Sequence, residues 1–163
     1  MCTSADWRFV LSHPAHFLSF GFGSGLSPFA PGTMGTLVAF PVYAYLKSWF
    51  GQSDWLFLLF LFQLFLLGIW LCGKTGRDIG EEDHSGIVFD EIVAFMIVLF
   101  FTPEGLLWKV SAFFLFRFFD ILKPPPIAYY DRIWHGGFGV MFDDLLAAFY
   151  ALICLALFKS FPG

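Results

Sequence analysis

Two adjacent carboxylate pairs, Asp90-Glu91 and Asp143-Asp144, each stand immediately before a strongly apolar run. One reading is local helix chemistry, because carboxylates near a helix N-terminus complement its dipole and cap free N–H groups. The other is metal binding. Neighbouring carboxylates at a membrane boundary repel each other and lose solvation, and a divalent cation offsets both effects. Oxygen-only ligands in this number suit Mg2+ or Mn2+ better than zinc. Between the pairs lies Arg117-Phe-Phe-Asp120-Ile-Leu-Lys123, closed by Pro124-Pro125-Pro126. Spacings of three put Arg117, Asp120 and Lys123 along one side of a helix end. Basic residues are favourable there without any function. Asp120 has the wrong sign for a C-terminus, so it calls either for a salt bridge to Arg117 or for a role in a site. In the functional reading, Arg117 and Lys123 take phosphate oxygens while Asp120 orients a cation or a base.

Two further features bear on the same chemistry. Gly32-Thr33-Met34-Gly35-Thr36 sits directly before an apolar run, where outward-pointing N–H groups attract anions. A tight membrane-entry turn would use the same glycines, and no Gly-Lys-Ser/Thr follows to make a Walker motif. His84 beside Asp83 is a capping residue or an acid–base group; His13, His16 and His135 carry less signal. Cys72 and Arg77 are separated by four residues and miss a Cys-x5-Arg phosphatase loop, and the sequence holds no Gly-x-Ser-x-Gly elbow and no His-Glu-x-x-His pattern. Acidic pairs and basic residues without a Cys or Ser nucleophile point to metal-activated water. Cys2, Cys72 and Cys154 are odd in number and widely spaced, matching neither a zinc pattern nor a disulfide framework.

The elements that must hold these groups are membrane helices. Apolar residues make up 58% of the 163-residue chain and charged residues 13%, against about 45–50% and about 25% in soluble domains. A soluble fold of this size could not hide 25 Phe residues. The net charge of −4 and the lack of a basic run argue against nucleic acid. The first 19 residues hold Asp6, two His and a Pro, which is not a signal-peptide pattern. Residues 34–50, with Pro41 as a kink, and residues 55–72 read as spans. Residues 92–101 and 106–119, separated by Thr102-Pro103-Glu104-Gly105, form either two tilted spans or a re-entrant hairpin. Residues 145–158, extended by about a turn at each end, are the last span. The expectation is an all-α, polytopic membrane bundle of about four to five spanning or re-entrant helices, in a single domain over residues 1–163.

With the N-terminus inside, Arg8, Lys74, Arg77, Arg117, Lys123 and Arg132 fall on the cytoplasmic face, and only Lys47, Lys109 and Lys159 fall outside. The polar sequence then forms three blocks on the inner face, residues 21–35, 73–91 and 117–144. Only Asp6, Asp54 and Glu104 among the acidic residues lie outside the second and third blocks.

Four stretches within these blocks, GFGSGLSPFAPGTMGTL, GRDIGEEDHSGIVFDE, FRFFDILKPPPI and DRIWHGGFGVMFDDLLA, resemble the phosphatidylglycerophosphatase A family in content and order. The similarity runs from Gly21 to about Ala148 and departs only at the triple proline, where the family places an aromatic between two prolines. What it implies is Mg2+-dependent removal of the terminal phosphate from phosphatidylglycerophosphate, in a bacterial inner membrane, with the site facing the cytoplasm and a phospholipid in the bilayer as partner. On that resemblance Asp90, Glu91, Asp143 and Asp144 hold Mg2+. Arg117 and Lys123, with Thr33 and Thr36 in the glycine turn, neutralise phosphate, and Asp120 or His84 manages the proton. Other readings are a phosphatase of another lipid phosphomonoester, a phospho-aspartyl mechanism, a phosphatidyl-transfer enzyme, or a small non-catalytic membrane transporter.

Overall fold

The computed structural model describes residues 5–160, and within them every regular element is helical. Two short helices, α1 (Trp7–Ser12) and α2 (Pro14–Ser19), lead through a 3₁₀ segment (Gly21–Leu26) into α3 (Pro31–Phe50). Then follow α4 (Asp54–Ile79), α5 (Phe89–Phe101), α6 (Leu106–Leu122), α7 (Ile127–Ile133) and α8 (Gly136–Ser160). Cys2 lies outside the described residues; Cys72 and Cys154 are free thiols.

Two helices, α4 with 26 residues and α8 with 25, are long and apolar enough to cross a membrane. At about 1.5 Å per residue each exceeds the roughly 30 Å hydrocarbon layer. The hairpin of α5 and α6 is built from 13 and 17 residues, below the roughly 20 of a typical span. Its shorter member is the centre of the molecule. Helix α5 is apolar on all sides and packs against α3, α4, α6 and α8. Phe95, Val93, Met96 and Val98 are fully or almost fully enclosed. A helix greasy all round belongs inside a bundle, where neighbours rather than lipid cover it. The outward faces of the surrounding helices remain apolar: Phe62, Phe114 and Phe149 all stay exposed. Trp49 and Trp55 flank the α3–α4 turn in the position of an interfacial aromatic belt.

Two helix starts differ from the sequence expectation. Helix α8 begins at Gly136 instead of about residue 141, so Asp143 and Asp144 lie two turns inside it and do not open it. One of the glycines that precede the expected span is demanded by packing. A Cβ on Gly137 would lie 1.9 Å from the Ile69 carbonyl of α4, so the two helix backbones touch there. Helix α3 likewise starts at Pro31, in the favoured first position, which places residues 32–36 in its opening turns.

The N-terminal helices are tied to α4 by a buried polar chain. His16 Nδ1 lies 3.1 Å from Thr75 Oγ1, which donates to Ser19 Oγ at 2.9 Å, and His16 Nε2 lies 3.3 Å from Asp78. Phe9 stacks on the imidazole at 4.3 Å. Burial lowers the His16 pKa, with the Asp78 charge opposing it, so the ring is satisfied as a structural group.

Gly137→Ala is expected to prevent stable folding or to lower the melting temperature of the detergent-purified protein steeply, since overpacking of even one methyl costs about 1–3 kcal/mol. Gly73→Ala, whose Cβ would meet nothing nearer than 3.4 Å, is expected to change it little.

Candidate active site

The three polar blocks converge on one cavity of about 240 Å³, which receives Gly32, Asp83, His84, Asp90, Glu91, Arg117, Asp120, Lys123, Asp143 and Asp144. The start of α3 supplies Gly32, and the loop before α5 supplies Asp83 and His84. Asp90 and Glu91 occupy the first turn of α5. The end of α6 contributes Arg117 and Asp120, with Lys123 as its cap. Both ends of the α5–α6 hairpin therefore meet the same cavity.

Three carboxylates, from Asp90, Glu91 and Asp144, bring oxygens within 4.8 Å of one another. Asp90 and Asp144 are buried, and Asp90 Oδ1, Glu91 Oε2 and Asp144 Oδ2 have no hydrogen-bond partner. Buried anionic oxygens left bare are strongly unfavourable unless a cation or donor meets them. The donor set therefore fits a hard divalent ion that takes carboxylate oxygens. Asp143 Oδ1 is buried and bare as well, but Asp143 stands apart from the trio in position: its Oδ2 accepts from Lys123 Nζ at 2.5 Å, and the same ammonium reaches Asp131 Oδ1 at 2.8 Å. Burial opposes the charge on Lys123, but Asp143 and Asp131 outweigh that and raise its pKa, so the ammonium stays ionised.

Arg117 stands beside Glu91 in the same cavity. Its Nη1 pairs with Asp120 one helical turn on and lies 3.5 Å from Glu91 Oε1. Its Nε is buried and has no acceptor, which leaves one directional donor for a ligand oxygen. Gly32 makes this arrangement possible. A Cβ there would lie 2.2 Å from Glu91 Oε1 and about 3 Å from the guanidinium nitrogens. The residue before Pro31, Ala30, adopts a left-handed conformation (φ 44°) that bends the chain into the helix at the cavity edge.

Of the residues singled out by sequence, the carboxylate pairs, Arg117, Asp120, Lys123 and His84 all line the cavity, whereas Thr33 and Thr36 do not. Thr36 is buried and donates its hydroxyl to the Gly32 carbonyl inside its own helix. His84 Nδ1 accepts the Gly86 N–H at 3.0 Å, so the neutral ring carries its proton on Nε2. Three contributors had little sequence signal. Asp83 could have been found from its neighbour His84. Asp131 follows Lys123 by eight residues across the proline turn, and only the path of that turn pairs them. Gly32 was noted for its backbone N–H, while the structure requires its missing Cβ.

With every carboxylate ionised, six acidic residues line the cavity against two cations, Arg117 and Lys123. An anionic ligand is repelled by that balance until positive charge is added. At the far end of the bundle the charges cancel in pairs instead: Lys47 binds Asp54, and Lys109 binds Glu104 at 3.0 Å.

Comparison with known proteins places the chain in a defined group. The phosphatidylglycerophosphatase A family profile matches residues 17–159. The chain is 50% identical over 147 residues to a phosphatidylglycerophosphatase A of Haemophilus influenzae, covering 90% of this chain and 89% of that protein. It is 42% identical over 144 residues to the Escherichia coli protein of the same name, covering 88% and 82%. A putative phosphatidylinositol-3-phosphatase of Bacteroides thetaiotaomicron is 39% identical over 148 residues, covering 88% and 92%. No solved structure matches the chain.

Relief of carboxylate repulsion gives a direct test of the trio. Asp144→Asn is expected to raise the melting temperature in EDTA, because it removes one buried, unpaired charge. The same substitution is expected to abolish the rise in melting temperature that millimolar Mn2+ or Mg2+ gives the wild-type protein through preferential binding to the folded state.

Proposed function

The chain belongs to the phosphatidylglycerophosphatase A family and is a phosphatase, and on that premise we propose that it converts phosphatidylglycerophosphate to phosphatidylglycerol with Mg2+ as its metal. The observation that carries the metal-dependent reading is the set of bare, buried oxygens on Asp90, Glu91 and Asp144 beside the unused Nε of Arg117. Anionic ligand groups and a phosphate-shaped donor on one cavity wall answer the two needs of phosphoryl transfer, charge neutralisation and positioning.

In this mechanism Asp90, Glu91 and Asp144 are the residues that hold Mg2+. When bound there, Mg2+ supplies Lewis acidity towards a phosphoryl oxygen and a lowered pKa for an attacking water. Arg117 donates to the phosphoryl oxygens as their charge redistributes, and Asp120 keeps the guanidinium turned into the cavity. Lys123 adds a second positive charge to the cavity. Asp120 accepts the proton from the attacking water. The Nε2–H of His84 hydrogen-bonds the departing alkoxide, which takes up the proton that Asp120 accepted from water; the His84 Nδ1 is already committed to Gly86. Gly32 leaves room for the Glu91–Arg117 pair to stay where the reaction needs it.

We read the site as lying at the cytoplasmic face of a bacterial inner membrane, with four to five helices embedded as spans or as a re-entrant hairpin. Support comes from the two long apolar helices and the exposed Phe and Trp side chains. A diacyl substrate explains why a hydrolase should be built this way: leaving the bilayer would cost the lipid about 0.8 kcal/mol per acyl CH2. The relative named for a phosphoinositide favours one second reading, a phosphatase of another lipid phosphomonoester on the same machinery.

The deciding measurement is phosphate release by purified protein from phosphatidylglycerophosphate, phosphatidic acid and phosphatidylinositol-3-phosphate in mixed micelles. Phosphatidylglycerophosphate is expected to be turned over fastest, EDTA to stop the reaction and Mg2+ to restore it. Preference for either other lipid would overturn the substrate, and no release from any of them would overturn the phosphatase. In the same assay Gly32→Ala is expected to lower kcat on the order of a hundredfold, the effect of displacing reacting groups by about 1 Å.

A further inference from the structure

We propose that Asp143, the sequence neighbour of the ligand Asp144, is not a metal ligand but joins Asp131 as a positioning residue that aims the Lys123 ammonium at the phosphate. The inference rests on the phosphatase reading above and assigns a division of labour within one acidic pair.

Helix geometry separates the two aspartates. Consecutive residues of an α-helix diverge by about 100° around its axis. In the interior of α8, two short side chains in sequence therefore face different neighbours. Asp144 turns to Asp90 and Glu91, and Asp143 turns to Lys123. The Asp90-Glu91 pair escapes this rule because the longer Glu91 side chain reaches round to join its neighbour.

Lys123 is held unusually well for a lysine. It ends α6 in a left-handed conformation, φ 42° and ψ 60°, with its backbone N–H bonded to the Phe119 carbonyl. A side chain with a Cβ occupies that region at some cost and persists there only where its surroundings over-determine it. Here the surroundings are two carboxylates on two different elements, Asp131 of α7 and Asp143 of α8. An ammonium has three N–H donors. Two are taken by Asp131 and Asp143, and the third is left for a phosphate oxygen. A free lysine would have to order a flexible four-carbon stem on binding, whereas this one is ordered beforehand. Asp143 is nine-tenths buried while Asp131 is more open, so Asp131 is the partner that can be altered with least damage to the fold.

The sign of the effect separates positioning from plain electrostatics. Removing a negative charge near an anion site strengthens anion binding if the charge acts only through its field. If instead the carboxylate aims the lysine, removing it weakens binding.

The test uses the full-length protein purified in detergent and two readouts, free Mn2+ by electron paramagnetic resonance and competitive inhibition by inorganic phosphate. Asp131→Asn is expected to leave Mn2+ affinity within about threefold of wild type and to raise the phosphate inhibition constant on the order of tenfold, the loss of one charge-assisted hydrogen bond. Asp131→Glu is expected to restore most of the loss. Asp143→Asn is expected to follow Asp131→Asn, and Asp144→Asn to weaken Mn2+ at least tenfold. The proposal is overturned if Asp131→Asn tightens phosphate or leaves it unchanged. It is equally overturned if Asp143→Asn weakens Mn2+ as much as Asp144→Asn does. Failure of the underlying phosphatase reading looks different: the wild-type protein would then neither bind Mn2+ nor release phosphate from lipid.

Discussion

Four carboxylates with bare oxygens, three of them close enough to share one cation, line a cavity at one end of an otherwise apolar bundle, and most other features of the molecule answer to that arrangement. Like charges withdrawn from water repel one another and lose hydration, each several kcal/mol in effect. A protein keeps such a cluster only when packing elsewhere is strong enough to enforce it. Here the enforcement comes from α5, whose apolar residues are enclosed by four neighbouring helices while its first turn carries Asp90 and Glu91 into the cavity. The most buried element thus presents the least comfortable groups.

Close backbone approach is the second requirement. Gly32 allows the start of α3 to lie against the Glu91–Arg117 pair, and Gly137 allows α8 to lie against α4. A Cβ on Gly25 would fall 1.9 Å from the Gly86 carbonyl, so the first and second polar blocks also touch backbone to backbone. Small residues at contacts are how helices pack where lipid removes the hydrophobic drive between them. In this molecule the same contacts bring cavity-lining residues from distant parts of the chain within reach of one another.

Charge distribution then separates the two ends by function. At the far end, Lys47–Asp54 and Lys109–Glu104 neutralise each other locally. At the site end the acids outnumber the bases, and the two cations are fixed in place by carboxylates rather than cancelled by them. A cavity of this kind is poised for positive charge first and phosphate second. That order suits a phosphatase, and it is consistent with membership of the phosphatidylglycerophosphatase A family.

Amino-acid sequence alone determined the membrane character, through Phe and Leu content, and the grouping of acids and bases into three blocks. It also determined the family, because four motifs in fixed order leave few alternatives. Helix-end chemistry at Asp90 and Glu91 was legible, since an apolar run does begin there. At Asp143 and Asp144 the same reasoning misplaced the helix start by more than a turn. The glycines of Gly136-Gly137-Phe138-Gly139 give no helix signal, and only the neighbouring α4 backbone shows why Gly137 is required. Tertiary structure alone decided that Asp144 faces Asp90 and Glu91 while Asp143 faces Lys123, and that Thr36 turns into its own helix. The physical reason is that sequence spacing fixes direction around one helix axis, whereas a site depends on how several axes lie against each other. That is set by where side chains are absent as much as by where they are present.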